Sequence, residues 1–163
     1  MLEWMHDEDV TRYMGKDFGN MTIHDCERFI SESSATASNL HQAIVNDEDE
    51  YMGTVSLKNI NVQKKDAEFA ITIRKCAMGN GYSRFGMNEI LKIAFEELKL
   101  NMVYWYVNRK NLRAVRFYDK MHFGRMSIPQ IEKMSKETDV FPINDFEWYM
   151  VTNEEFELLI QES

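Results

Sequence analysis

The chain has 163 residues, 44% of them hydrophobic and 28% charged, with a formal net charge of −8. That length suits a single compact domain, read here as residues 1–163. The acidic balance argues against a broad nucleic-acid surface, and no apolar run is long enough to span a membrane.

Met1 to Val10 lacks the basic-then-apolar order of a secretory leader, so a cytoplasmic protein is expected. Leu2 to Met14 reads as helical, with Trp4, Met5, Val10, Tyr13 and Met14 interrupted by polar positions. Thr22-Ile23-His24-Asp25 has the form of a capping box, and a helix is expected from there to about Ser33. His24 falls in the first exposed turn and is not read as a ligand. Cys26 and Cys76 form neither a metal cluster nor a disulfide framework and read as free thiols.

Three strand-like runs follow, Leu40 to Val45, Tyr51 to Leu57 and Ala67 to Ile73. The acidic patch Asp47 to Glu50 between the first two reads as a solvated hairpin turn, not a metal site. In the third run Phe69, Ile71 and Ile73 face one way and Glu68, Ala70 and Thr72 the other. A lone carboxylate beside two small residues leaves room for something to lie next to it.

Met78-Gly79-Asn80-Gly81-Tyr82-Ser83 then leads into a long helix, Tyr82 to Leu98, with the stripe Met87, Ile90, Leu91, Ala94 and Leu98. Glycines allow a tight turn and close approach to a ligand, and a helix start offers free N–H groups and a partial positive charge. The pair forms an anion site suited to a pyrophosphate, although the two glycines alone fit an ordinary turn as well. Met102 to Val107 is an almost wholly apolar strand. Asn111 precedes a helix carrying Ala114, Phe117, Tyr118 and Met121 on one side, and the chain closes with a strand near Asp145 to Val151 and a helix, Glu154 to Ile160. The element order implies an α/β (α+β) fold, a mixed sheet with helices on both faces.

The strand, turn, long helix, apolar strand and Asn-x-x-Ala-x-x-x-Tyr segment together resemble the GNAT N-acetyltransferase superfamily, in its branch of ribosomal-protein, spermidine and amino-sugar-nucleotide acetyltransferases. The resemblance covers roughly residues 2 to 125. The family's loop, Gln/Arg-x-x-Gly-x-Gly/Ala, becomes Met78 to Ser83 here, with Gly81 the strict match. Asn111 to Phe123 is similar to the family's Asn-x-x-Ala-(apolar)-Tyr-(Glu)-Lys-x-Gly-Phe, with His122 in place of glycine. The family's first strand normally precedes the helix at Leu2, so either the true start is expected upstream or the sheet has an exposed edge covered some other way. The His122-Phe123 pair and the run Met87 to Ile90 resemble some amino-sugar-nucleotide members.

The resemblance implies a mostly antiparallel GNAT sheet, acetyl-CoA as co-substrate, no metal, and direct acetyl transfer to a primary amine in a ternary complex. It assigns the pyrophosphate to Met78, Gly79, Asn80, Gly81, Tyr82 and Ser83. The pantetheine arm falls to the backbone of Ile71, Thr72 and Ile73 and to Asn111, whose other role is helix N-cap. An N–H of the same strand edge polarises the acetyl carbonyl. Tyr118 is the candidate acid, hydrogen-bonding the leaving thiolate, with a core tyrosine as its rival reading. Glu68 is the candidate base, with an ion pair to Lys64 or Lys65 as its rival. A lysine-like amine near 10.4 needs roughly 4.6 kcal/mol to be half neutral at pH 7, and an α-amino group only about 1 kcal/mol, so a base matters more for polyamines.

The acceptor pocket is expected from the first helices and the segment Met126 to Trp148, where Trp4, His6, Tyr13, Phe141, Phe146 and Trp148 either stack on an acceptor or belong to the core. A small amine, an amino-sugar nucleotide or a polyamine, is the first choice of acceptor, and a homodimer is compatible with the sequence. A protein N-terminus as acceptor, or a non-catalytic CoA-binding sensor or interaction module, stays open as the alternative.

Overall fold

The computed structural model describes residues 1–33, 38–135 and 143–161. The N-terminal helix expected over Leu2 to Met14 is instead two short ones, α1 (Leu2–Met5) and α2 (Glu8–Thr11). Asp7 causes the break: it adopts an extended backbone and its carboxylate accepts from the Asp9 N–H, capping a new helix rather than continuing the old one. Helix α3 (Ile23–Glu32) starts where the capping box requires. The Thr22 N–H donates to Asp25 Oδ2 at 2.8 Å while the Asp25 N–H donates back to Thr22 Oγ1 at 3.4 Å.

The meander comprises β1 (Leu40–Val45), β2 (Tyr51–Asn61) and β3 (Asp66–Ile73). Strand β2 continues four residues past the expected end at Leu57, and this brings Lys58 opposite Glu68. Asn46 closes the first hairpin, its Oδ1 accepting from the Glu48 and Glu50 amides. A 3-10 turn, Lys75–Ala77, leads to α4 (Tyr82–Lys92), which passes into a π-helical turn, Ile93–Glu97. Met87, Ile90, Leu91 and Ala94 are wholly buried, as their spacing predicts. The wider π turn then rotates the next positions: Phe95 goes inward and Leu98, expected on the stripe, is 39% exposed.

After α4 come β4 (Met102–Asn108), α5 (Leu112–Lys120), β5 (Gly124–Arg125), α6 (Ile128–Ser135), β6 (Phe146–Thr152) and α7 (Asn153–Gln161). The described strands form one six-stranded sheet in the order β1-β2-β3-β4-β6-β5, antiparallel except between β3 and β4. This is the mixed sheet read from the sequence. No strand pairs with the outer edge of β1 among the described residues.

Strand alternation sorts the core by face. Phe69, Val103, Trp105, Tyr149 and Val151 pack against α4, α5 and α7. Tyr104 and Trp148 turn the other way and meet Met126 and Ile131, while Trp4, Met5 and Cys26 form a third cluster with Tyr51 at its margin. Each fully buried side chain such as Leu57 or Ile90 contributes about 2 kcal/mol by leaving water. Helix α4 sits so close to the sheet that a Cβ on Gly86 would collide with Ile44 Cδ1.

Candidate active site

Strands β3 and β4 pair over only three residues, Asp66 with Met102, Ala67 with Val103 and Glu68 with Tyr104. Beyond that rung each strand follows its other neighbour. Strand β3 stays on β2 out to Ile73 opposite Gly53, and β4 stays on β6 out to Asn108 opposite Phe146. The strands part, and the edge of β3 from Phe69 to Ile73 keeps backbone groups that no β4 partner takes up. A cavity of about 650 Å³ fills the gap, with Glu68, Ala70 and Thr72 on one wall, Trp105 to Val107 on the other and Tyr118 of α5 between them. Ile71 and Ile73 line it as well.

At the far end of β3 the chain makes the glycine turn. Gly79 and Gly81 take φ of +82° and +87°. A Cβ on either would touch nothing within 4 Å, so these glycines serve the backbone conformation and not a tight space. Gly81 is the N-cap of α4 and no side chain caps that helix, whereas Thr22 caps α3 and Asn111 caps α5. The first amide bonded back to Gly81 is that of Phe85. Helix geometry leaves the amides of Tyr82 and Ser83 without intrahelical acceptors.

A second cavity of about 830 Å³ runs from this turn between α4 and α5, with Arg84, Lys92 and Lys120 on its walls. Gly79 and Ser83 border both cavities, so the two form one path from the cationic groove to the parted strands. Such a path fits a long ligand with a polyanionic end and a thin amide-bearing arm. Met78 lines the strand end of the path and packs on the core. The side chains of Asn80 and Tyr82 line neither cavity: Asn80 Nδ2 donates to the Cys76 carbonyl at 3.3 Å, and Tyr82 packs half-buried against the core. Sequence reasoning missed the three cations. Their signal was there in the spacing of Arg84 and Lys92 on α4 and in Lys120 at the end of α5.

Tyr118 is 7% exposed and ringed by aromatic side chains, with ring centroids 5.2 Å from Trp105, 5.2 Å from Phe117 and 5.2 Å from Tyr149. Burial pushes its phenol well above the ordinary range, and Tyr149 adds to the effect. The hydroxyl therefore stays protonated at neutral pH. Asn111 Oδ1 accepts from the Ala114 N–H at 3.3 Å, so the N-cap role is present while the residue also borders the cleft.

Glu68 is 8% exposed. The sequence points to Lys64 or Lys65 as its ion partner, and the structure sets Lys58 there. Oε1 lies 2.7 Å from Lys58 Nζ, because the antiparallel register sets Lys58 directly opposite. Oε2 accepts from Asn59 Nδ2 at 3.0 Å. The Tyr106 hydroxyl across the gap also donates to Glu68, and the Tyr106 phenol is pushed up to about 12, first by burial and then by the Glu68 charge. Glu68 and Tyr118 approach the cleft from opposite faces of the sheet.

The aromatic candidates divide. Trp4 is core: it is buried, lies edge-on to Phe18 at 5.3 Å and donates to the Tyr51 hydroxyl at 3.1 Å. His6 Nε2 donates to the Met21 carbonyl at 2.8 Å. Tyr13 and Phe146 line the cleft. Trp148 is buried, its ring 4.6 Å from that of Tyr106. Phe141 lies outside the described residues. Among the described residues no group of three His, Cys, Asp or Glu side chains is placed to hold a metal ion, and no helix is long and apolar enough to cross a membrane.

A family model described as an acetyltransferase (GNAT) domain matches residues 1–124. Acetyltransferase PseH of Campylobacter jejuni subsp. jejuni serotype O:23/36 (strain 81-176) is 28% identical over 123 residues, 76% of this chain and 74% of that protein. The spermidine N(1)-acetyltransferase of Vibrio cholerae serotype O1 (strain ATCC 39315 / El Tor Inaba N16961) is 35% identical over 72 residues, 44% of this chain and 42% of that one. Among solved structures, spermidine N-acetyltransferase from Vibrio cholerae in complex with CoA and spermine shares the fold with a TM-score of 0.76. It is 19% identical, and the match covers 96% of this chain and 89% of that one.

Proposed function

The chain belongs to the GNAT acetyltransferase family, and from that premise we propose that it carries acetyl from acetyl-CoA to a small primary amine by direct attack within a ternary complex. Acetyl transfer from acetyl-CoA to an amine is the activity of the family; the small acceptor, the direct route and the residue roles are our reading. The observation that carries it is the parting of β3 and β4 after Glu68 and Tyr104, which leaves an unpaired strand edge between a cationic groove and a buried tyrosine.

The amides of the first turn of α4, with Arg84 and Lys120, hold the cofactor's phosphates. The free edge of β3 from Phe69 to Ile73 pairs with the pantetheine amides as an added strand would, and Asn111 holds the arm from the other side. An N–H of that edge polarises the acetyl carbonyl. The acceptor enters from the face of Glu68, floored by Ala70 and Thr72 and flanked by Tyr13 and Phe146. Glu68 takes the proton that frees the nitrogen lone pair, directly or through a water, and the amine attacks the thioester carbon with no covalent enzyme intermediate.

Tyr118 meets the departing sulfur from the opposite face. An unperturbed phenol near 10 is already a weaker acid than a thiol near 8.5, by roughly 2 kcal/mol. Burial raises Tyr118 further, so it stabilises the thiolate as a hydrogen-bond donor and keeps its proton.

An amino-sugar nucleotide or a polyamine is the acceptor class we favour. The spermidine acetyltransferase relative supports the second, and the sequence likeness at Met87 to Ile90 and His122-Phe123 the first. Thiol release from acetyl-CoA across a panel of amino sugars, sugar nucleotides, polyamines and N-terminal peptides tests the reading. Turnover confined to peptides would overturn the small-amine acceptor, and no release with any amine would overturn the whole.

A further inference from the structure

Lys58 and Glu68 face each other on neighbouring strands, Nζ to Oε1 2.7 Å, and both side chains line the cleft that opens where β3 and β4 part. The next residues outward on that face are Ser56 and Ala70, themselves paired, and both are small. A primary amine, a carboxylate able to take its proton and the cleft assigned to the thioester thus lie together before any acceptor arrives. Lys16 also borders the cleft, but its ammonium sits over the Phe18 ring at 5.6 Å.

We propose that Lys58 is itself an acetyl acceptor: with no amine substrate in the cleft, the chain acetylates its own Lys58 from acetyl-CoA. The inference rests on the acetyl-transfer reading above. An alkylammonium has no lone pair, so the Lys58 nitrogen first gives one proton to Glu68 along their contact. The neutral nitrogen forms a C–N bond to the thioester carbon, and collapse of the tetrahedral adduct breaks the C–S bond. The second nitrogen proton ends on the departing sulfur, and Glu68 passes its proton to water. The sum is ammonium plus thioester going to amide plus thiol plus one proton.

The product is a neutral amide that no longer pairs with Glu68. The carboxylate keeps its bonds from Asn59 and Tyr106 and becomes open to an external ammonium. Self-acetylation would therefore release Glu68 from its own lysine and favour a cationic acceptor beside it.

The test is the full chain incubated with acetyl-CoA and no amine, followed by intact mass and peptide mapping over time, with thiol release on the amine panel run in parallel. One acetyl group is expected at Lys58, forming at least about a hundredfold faster than at the exposed Lys99. Glu68→Gln should slow Lys58 to the Lys99 rate and leave Lys99 unchanged. Lys58→Arg, which keeps the charge and the ion pair, should abolish the mass gain without unfolding the protein. Acetylation no faster at Lys58 than at Lys99, or found at Lys16 instead, overturns the proposal. Turnover of external amines with Lys58 unmodified sinks self-acetylation and leaves the enzyme reading intact, whereas neither thiol release nor modification removes both.

Discussion

The Tyr149 hydroxyl donates to Asp119 Oδ1 at 3.0 Å, tying β6 to the residue that follows Tyr118 on α5. Arg125 holds the same carboxylate with three contacts, at 3.2 Å, 3.1 Å and 2.8 Å. Tyr118 is thus aimed from two sides, by the ring of Tyr149 and by the anchored turn beside it. Tyr149→Phe keeps the ring and removes the bond, so it should cost about 1 kcal/mol of stability. It should also lower kcat by up to about tenfold through misplacement of Tyr118, with KM for acetyl-CoA unchanged. Thermal melts and steady-state kinetics check both.

On the proposed mechanism Tyr118→Phe removes the donor to the leaving sulfur. Loss of a comparable preorganised donor lowers kcat by about a hundredfold or more, and that is the expectation here, with little change in KM for acetyl-CoA. Because Tyr118 is raised above the ordinary phenol value of 10.0, its ionisation should produce no alkaline fall in wild-type kcat up to about pH 10. A pH–rate profile ending in a decline that Tyr118→Phe abolishes would remove the residue from this role.

Gly81→Ala puts a methyl group into open space but onto a φ of +87°. The cost is backbone strain of about 1 kcal/mol, not a clash. Relief of that strain would turn the amides of the first turn of α4, so calorimetry should show weaker CoA binding alongside the lower melting temperature.

His41 lies under Phe29, with ring centroids 5.1 Å apart, and Nδ1 is 2.7 Å from Ser56 Oγ. Burial, and secondarily the Lys58 charge, hold its imidazole below the ordinary histidine value of 6.5. The unfolded chain therefore binds more protons than the folded one as pH falls through 6.5. Stability from this group is fully present above 6.5 and is lost as pH drops through the lower folded-state value. The lowered carboxyl of Asp119, held down by Arg125, acts in the same sense below 3.8. His41→Gln should flatten the upper part of the melting-temperature curve against pH and leave the acidic part.

Local chemistry was legible in the sequence. The Thr22–Asp25 capping box, the alternation that separates Glu68 from Phe69 and the buried stripe from Met87 to Ala94 depend on neighbours a few residues apart. What spacing alone leaves open is register between distant segments. Lys64 and Lys65 are nearer to Glu68 along the chain, yet Lys58 is its partner, because β2 runs past Leu57 before turning. Leu98 faces outward because a π turn adds a residue where the 3.6 period assumes none. Helix α6 lies in the segment Met126 to Trp148, which the sequence marks only as a pocket region; its Pro129 stands in the first turn, where a missing N–H costs nothing. The family-like departure at His122 also has a conformational meaning. It takes φ +60°, a region that glycine enters freely and histidine enters more readily than most.

The close seat of α4 on Ile44 works as a gauge. On the proposed reading that helix carries the phosphate turn at one end, and its height above the sheet sets how far the turn stands from the Tyr118 hydroxyl. A methyl at Gly86 would press on the buried Ile44 side chain, and any lift of the helix that relieved it would lengthen that span. The bound arm would then fall short of the tyrosine or buckle on its way there, although no residue that touches the substrate had changed.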